Sequence, residues 1–558
     1  MPNADRTRPK GRAGGVDRAA VRTPASRIDL HTLMFVAGLA VVAFIRLRLL
    51  AVPFERDEGE YAYVGNIILR GGLPYRDAYN MKLPGVYGMY ALIISAFGSS
   101  PVGVHAGFAV LSIATMALLY AALRRLFTPM AGLVAAMVYG LLSVSGPLLG
   151  PAAHATHFVN FFVALGLWIY SRWDDGRPVL FGAVTGLTFG LAFLMKQHAL
   201  FLAAFGGAIV LQRSWAAVPR QWTTISRVGA GYLLGAAIPY LVVVAIMAAA
   251  GSFGRFWFWT VTYATSYASA GTPWEVAKAL FLRSFGPAFT EYPMIWLLAL
   301  AGLAVVWTRR YDGRQRLVAL GLALSSCAAV VPGFNFREHY FVLLLPAAGL
   351  LCAIALEWVA RLIANVRDLP VVRALPFIAI AAWGVVAMTN GRAYYLDDLP
   401  DEVSRTLYAG NPFVEAREVG ARIAADTAST DTIAILGSEP EILVYAGRRS
   451  ATGYMYVYPL VESQPANLRM QREMIAEIEA AAPKYLVYCN VPTSWSASPG
   501  APTDILQWFN RYAPAHYDVV GIVEIGSAGT PPAYVWGADA RQRIPGPNSL
   551  WVMRRRSP

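Results

Sequence analysis

Apolar runs of about 17 to 25 residues recur from residue 30 to residue 390 and then stop. A helix of about 20 such residues crosses roughly 30 Å of hydrocarbon, so a chain that carries many of them folds in a bilayer. Runs at 30–51, 103–123, 130–149, 155–172, 178–194, 198–212, 228–250, 292–308, 315–332, 338–360 and 371–389 predict a mainly α, polytopic membrane protein with about 11 transmembrane helices. Composition agrees: 56% of residues are hydrophobic and the mean hydropathy is +0.45, above the range of soluble domains. The net charge of +13 would suggest nucleic acid in a soluble chain. Here the basic residues sit in short links between apolar runs, so they report topology, and no nucleic acid is expected as a partner. Three cysteines, Cys327, Cys352 and Cys489, do not make a disulfide framework and leave the redox compartment open.

One further run, Leu83 to Phe97, is short, and its path decides the topology. If it crosses the membrane, the basic links at Arg124 and Arg125, at Arg172 to Arg177 and at Arg213 to Arg227 all fall outside, against the tendency of such links to stay cytoplasmic. If it skirts the surface, those links fall inside, and so do Arg309 to Arg316 and Arg361 to Arg367. The second choice makes the N-terminus cytoplasmic and places residues 52–102 outside, together with the turn at Lys196, the 251–291 loop, the 333–337 loop and everything after about 390. Residues 1–28, basic and rich in Pro and Gly, read as a disordered cytoplasmic arm rather than a signal peptide. Residues 29–390 form the transmembrane domain. Residues 391–558 read as a soluble extracytoplasmic α/β domain, with strands at 432–436, 485–488 and 517–525 and helices near 413–426 and 466–482. The GSEPE stretch at Gly437 reads as a plain turn. In a bacterial cell this topology belongs to the plasma (inner) membrane, with the tail in the periplasm.

The first external loop, FERDEGEYAYVGNIILRGGLPYRDAYNMKLPG, is the least expected feature of the chain. It concentrates Arg56, Asp57, Glu58, Glu60, Arg70, Arg76, Asp77 and Lys82 against a lipid surface, where carboxylates are costly unless paired or used. The local alternative makes Asp57 a helix N-cap with Glu60 at N3, and gives the basic residues to lipid headgroups. RDEGEYAYVG followed by GGLPYRDAYNMKLPGVYGMYAL resembles the first external loop of GT-C membrane glycosyltransferases, in particular bacterial relatives of protein O-mannosyltransferases and of the lipid A aminoarabinose transferase. The resemblance implies a GT-C fold and a catalytic carboxylate at Asp57, with Glu58 beside it. It also implies a donor-phosphate contact at Lys82, in a Lys-Leu-Pro version of the family's Lys-Pro-Pro element. LAFLMKQHALF and REHYFVLLLPAAGLL resemble two further family segments, which point at Lys196 and at Tyr340 with His339 and Arg337. Where many relatives carry an acid in the second external loop, PAAHATHFVN has His154 and His157.

Transfer of a sugar from a lipid phosphate needs a base at the acceptor hydroxyl and positive charge at the departing phosphate. Asp57 suits the first role; Lys82, Lys196 and Arg337 suit the second without a metal. Arg56, Glu60, Tyr61, Arg76, Asp77 and His157 are further candidate substrate contacts. The expected activity is inverting transfer of a single sugar from a polyprenyl-phosphate donor to a hydroxyl of a lipid, glycan or protein, with membrane lipids as the other partners. No cofactor is required; a divalent metal is compatible but not indicated, since no pair of His or Cys has zinc spacing on a clear helix. The aromatic 251–291 loop is expected to lie on the membrane and to border the path of the lipid tail. Alternative readings are a multi-span transporter or flippase of lipid-linked sugars, a glycan ligase or polymerase, and a scaffold that uses its tail to bind a partner. Transporters carry ionisable groups in mid-span, whereas here the charges gather at one face.

Overall fold

The computed structural model describes residues 29–556 apart from 218, 270, 367–369 and 528–529, so the expected arm at 1–28 lies outside the described residues. The N-terminal two thirds is helical. In chain order it comprises α1 (Leu30–Arg48), α2 (Arg56–Leu69), α3 (Gly85–Phe97), α4 (Pro101–Leu126), α5 (Pro129–Ser143), α6 (Ala155–Ser171), α7 (Pro178–Met195), α8 (Leu200–Trp215), α9 (Trp222–Ala249), α10 (Phe253–Trp257), α11 (Ala264–Ser269), α12 (Trp274–Glu291), α13 (Pro293–Val305), α14 (Gly313–Val330), α15 (Leu345–Val366) and α16 (Pro370–Asn390). Every apolar run read as a span coincides with one of these. Among the described residues five stretches are long and apolar enough to cross a bilayer alone: α1, α4, α7, α9 and Glu338–Asn365. A sixth, α12 with α13, qualifies only as a pair bent by 98°. The other runs fold as shorter helices. At 13 residues, α3 is about 20 Å long, too short to span by itself.

Sequence explains the tightest helix pair. Gly182, Gly186 and Gly190 recur every four residues on one face of α7, and a Cβ at Gly186 or Gly190 would meet the backbone oxygen of Tyr232 or Ala236 at 2.1 or 2.2 Å. Only glycine lets α9 come this close, and in lipid such contact is what drives helix association. Helix starts follow capping chemistry: Ser100 accepts from Gly103 N and Thr128 from Ala131 N, each just before a proline in the first turn. At α2 the cap is Glu55, which accepts from Glu58 N at 2.9 Å. The local alternative for Asp57 therefore fails, because the capping role is already taken two residues earlier.

The 251–291 segment is not an irregular loop. A π-helical stretch at Phe258–Tyr263 joins α10 to α11, and α12 follows. After α16 come α17 (Pro400–Leu407), α18 (Glu415–Ala425) and a six-stranded mixed sheet of β1 (Thr432–Leu436), β2 (Arg449–Ser450), β3 (Tyr485–Asn490), β4 (Tyr517–Glu524), β5 (Ala533–Trp536) and β6 (Ser549–Arg555). The strand order is β2-β1-β3-β6-β4-β5. β1 runs parallel to β2 and β3, and β6 lies antiparallel between β3 and β4. The three strands and two helices read from sequence are present; β2, β5 and β6 are additional.

This domain is seated on the segment that carries α2. α19 (Glu441–Ala446) packs on α2, and a Cβ at Gly59 would stand 2.6 Å from Glu441 N. Tyr79 N donates to Gly453 O at 2.7 Å. The GSEPE stretch is thus a buried joint rather than a plain turn: Ser438, Glu439 and Glu441 are all fully buried.

Candidate active site

The first two turns of α2 carry three carboxylates with different surroundings. Glu58 points away from the cavity, accepting from Ala153 N at 2.7 Å and pairing with His105 Nε2 at 3.0 Å. This corrects the expectation that it stands beside Asp57 as a second catalytic acid; its geometry joins α2 to α4 and to the start of α6. Glu60, fully buried, accepts from Lys82 at 2.6 Å and from the Tyr87 hydroxyl. Asp57 lies between these two and is 24% exposed toward a cavity of about 420 Å³.

Lys82 arrives from the turn before α3 and bridges Asp57 Oδ1 at 2.7 Å and Glu60 Oε2 at 2.6 Å. Its ammonium stands 4.5 Å from the Tyr61 ring centroid and 5.3 Å from that of Tyr456. Burial pushes the Asp57 carboxyl up, but the Lys82 charge outweighs burial and holds it well below the usual carboxylate range. For Lys82 burial works against the charge, yet Asp57 and Glu60 hold its ammonium on. Glu55 goes the other way: burial, then the neighbouring Asp57 and Glu58 charges, raise its carboxyl.

The opposite wall is cationic. Lys196, at the end of α7, places its ammonium 4.0 Å from the Tyr340 ring centroid, and Tyr340 meets His198 edge-on at 4.9 Å. Burial, with Lys82 adding to it, pushes the Lys196 ammonium down to about 7 against the opposing Asp57 charge. Arg337 opens onto the same cavity; its neighbour Glu338 accepts from Ser284. Among the described residues neither Lys196 nor Arg337 makes an ion pair, so both positive charges face the cavity unspent.

The sequence therefore brings Asp57, Tyr61, Lys82, Lys196, Arg337, His339 and Tyr340 to one cavity from four distant segments. Arg56 also lines it, with its guanidinium tied to Glu439 at 2.6 Å and Asn411 at 3.1 Å. Three other candidates sit elsewhere. Arg76 and Asp77 pair with each other at 2.8 Å on an exposed turn, where Asp77 also accepts from Leu73 N. His157 is buried one turn into α6, edge-on to Phe108 at 4.8 Å, and does not line the cavity.

Several cavity residues escaped the sequence reading. Tyr456 donates to Asp57 Oδ1 at 3.1 Å, and Tyr458 and Glu462 line the same wall from the C-terminal domain. Glu462 accepts from the Tyr263 hydroxyl of the π-helical stretch, and Tyr267 of α11 lies alongside. The clustered tyrosines of GYMYVYP were the available signal, although only Tyr456 and Tyr458 reach the cavity while Tyr454 packs on Tyr79.

Asp57, His154 and His339 are a trio of metal-ligand types whose donor atoms lie within 4.8 Å of one another. The two imidazoles, however, are stacked, with centroids 4.1 Å apart and planes 15° from parallel. Ring lone pairs lie in the ring plane, so two stacked rings point theirs side by side and do not converge on one ion. The trio does not fit a metal unless one ring turns.

The sequence profile described as dolichyl-phosphate-mannose-protein mannosyltransferase matches residues 82–244. Among curated proteins no sequence matches the chain. In overall structure it is similar to ArnT from Cupriavidus metallidurans bound to undecaprenyl phosphate, with 16% identity over 93% of this chain and 97% of that one and a TM-score of 0.56. The same protein in the apo state gives 15% identity over the same shares and a TM-score of 0.52. The oligosaccharyltransferase of Archaeoglobus fulgidus, tethered to an acceptor peptide, gives 14% identity over 92% of this chain and 74% of that one, with a TM-score of 0.48. The shared architecture with ArnT runs through the helical part and into the C-terminal domain.

Proposed function

We propose that this chain, a membrane protein of the GT-C fold, is an inverting glycosyltransferase that moves one sugar from a polyprenyl phosphate to an acceptor hydroxyl on the outer face of the plasma membrane. The observation that carries the reading is the division of one cavity into a carboxylate wall at Asp57 and an unpaired cationic wall at Lys196 and Arg337. A phosphate seated on the cationic wall places its sugar against Asp57. The acceptor hydroxyl then approaches from the side of the C-terminal domain, donates to Asp57 and attacks the anomeric carbon as the bond to phosphate breaks. A single displacement inverts that carbon. Lys82, already engaged by two carboxylates, orients the base more than it holds the phosphate. Lys196 and Arg337 take the charge of the leaving group.

This reading keeps the topology of about eleven crossings, with Leu83 to Phe97 lying along the surface and the domain from about 391 outside. The matching profile is that of a dolichyl-phosphate-mannose-protein mannosyltransferase and the similar ArnT structure is bound to undecaprenyl phosphate, which supports a lipid-phosphate donor here.

The test is to incubate purified protein in detergent with a panel of undecaprenyl-phosphate hexoses and pentoses and to follow release of undecaprenyl phosphate. Turnover of one donor by the wild type, and its loss by more than about a thousandfold in Asp57→Asn with donor binding kept, is the expected result. A wild type inert to every donor, or an Asp57→Asn variant of full activity, rejects the proposal.

A further inference from the structure

The two oxygens of Asp57 keep different company. Oδ1 is occupied by the Lys82 ammonium and the Tyr456 hydroxyl. Oδ2 faces His154 Nδ1 at 3.9 Å, and that nitrogen is 3.7 Å from Glu55 Oε1. His154 is 1% exposed, lines the cavity, and has no hydrogen-bond partner at either ring nitrogen. It precedes α6 without capping it. A buried polar group left unpaired costs about 1–3 kcal/mol, so an imidazole with both nitrogens idle has hydrogen-bonding capacity that the fold itself does not use. Stacking on His339 fixes the plane of the ring. An oxygen about 2.8 Å from both Asp57 Oδ2 and His154 Nδ1 subtends roughly 90° between them, so a hydroxyl seated there can share its one proton between these two acceptors.

We propose that His154 is a second acceptor-side catalytic residue: the acceptor hydroxyl seats between Asp57 Oδ2 and His154 Nδ1, and its proton ends on His154. The assignment rests on the transferase reading above. In the step, the acceptor O–H bond breaks and its electron pair forms the new bond to the anomeric carbon. The bond from that carbon to the phosphate oxygen breaks, its pair leaving with the phosphate, and the proton passes along Asp57 to the imidazole. One neutral imidazole becomes an imidazolium and the lipid phosphate gains one negative charge, so charge and atoms balance.

The division of labour follows from the surroundings. Asp57, held ionised by Lys82, orients a hydroxyl well but retains a proton poorly. Burial, with Lys196 and Lys82 adding to it, pushes the His154 imidazole down to about 4 against Asp57 and Glu58, so the ring is neutral near neutral pH and carries a free lone pair. The groups facing the ring are Asp57, Glu55, Glu58, Lys82, Lys196 and His339. A donor phosphate on Lys196 offsets one of the cations opposing protonation, and Asp57 and Glu55 flank the imidazolium once it forms.

The experiment follows hydrolysis of the undecaprenyl-phosphate sugar found by the panel, with water as the acceptor probe, in wild type, His154→Gln and His154→Ala. Glutamine keeps hydrogen bonding and most of the volume but accepts no proton. The expected result is a fall in kcat of about 100-fold or more in both variants, with the donor KM within about twofold and the thermal midpoint unchanged. Added imidazole is expected to restore part of the His154→Ala rate and none of the Asp57→Asn rate. A His154→Gln kcat within about threefold of wild type overturns the assignment, as does a folded His154→Ala that imidazole leaves unrescued; if the alanine variant does not fold, the glutamine variant decides alone. An active wild type with an active His154→Gln removes only this assignment, whereas an inert wild type removes the transferase reading as well.

Discussion

Replacing Lys82 with methionine, which keeps the length of the side chain and removes the charge, tests how the base is tuned. In the wild type the ammonium lies 2.7 Å from Asp57 Oδ1 and 2.6 Å from Glu60 Oε2, and both partners are largely buried. At an effective dielectric of about 20, two unit charges about 4 Å apart attract by about 4 kcal/mol, which corresponds to about three pH units of titration. Without Lys82, burial favours the protonated form of Asp57 and the largest opposing charge is gone. The sign is fixed: a base that is ionised across the working range in the wild type becomes ionised only at higher pH in the variant. The acid limb of kcat/KM is therefore expected to move up by about three pH units in Lys82→Met, while the rate at high pH recovers toward wild type. The assay is donor turnover at saturating and limiting donor, from the lowest pH at which the protein stays folded to pH 9. An acid limb that does not move refutes the claim that Lys82 serves the base, and a uniform loss at every pH assigns Lys82 to the phosphate instead.

Two further outcomes follow from the same geometry. With its ammonium held down to about 7 by burial, Lys196 is cationic below that pH and neutral above it, so the donor KM is expected to rise by about tenfold per pH unit above the wild-type value and to lose this dependence in Lys196→Arg, read from donor titrations between pH 6 and pH 9. Glu439→Gln removes the charge opposite Arg56 in a pair 2.6 Å long whose side chains are 0% and 13% exposed, and is expected to cost about 3 kcal/mol, seen as a lower midpoint of thermal unfolding in detergent; an unchanged midpoint sinks the joint as a stabilising contact.

The helical fold was legible because apolar runs and basic links obey simple physics, and each run from 30 to 390 became a helix. How many helices cross was less so: five meet a length and hydropathy test alone, since helices packed among others need not be long or uniformly apolar. Within the site, Asp57, Lys82, Lys196 and Arg337 stood out as charges where lipid makes charge costly. The same reasoning overvalued Arg76, Asp77 and Glu58. Density of charge does not say which way a side chain turns: Arg76 and Asp77 satisfy each other on a surface turn, and Glu58 is spent on His105 and Ala153 N–H. The same blindness to direction undervalued His154, which stands at the cavity in the extended residue before α6, against His157, which lies inside the helix and packs on Phe108.

The contribution of the C-terminal domain was invisible for a different reason. Tyr456 and Glu439 are about 400 residues from Asp57 and Arg56, and nothing local marks them as partners. One residue of the first loop does carry the trace. Gly59 sits between Asp57 and Glu60 in a helix where glycine costs about 1 kcal/mol relative to alanine. That cost is offset only because α19 approaches within 2.6 Å of where its Cβ would be. The approach sets Ser438 and Glu439 against Arg56, and the chain that follows brings the Tyr456 hydroxyl to Asp57 Oδ1. With Oδ1 taken from one side by Lys82 and from the other by Tyr456, Oδ2 is the oxygen left to face a substrate. The orientation of the base is thus decided jointly by the segment that carries α2 and by the C-terminal domain, and a glycine that weakens its own helix is what lets the two meet.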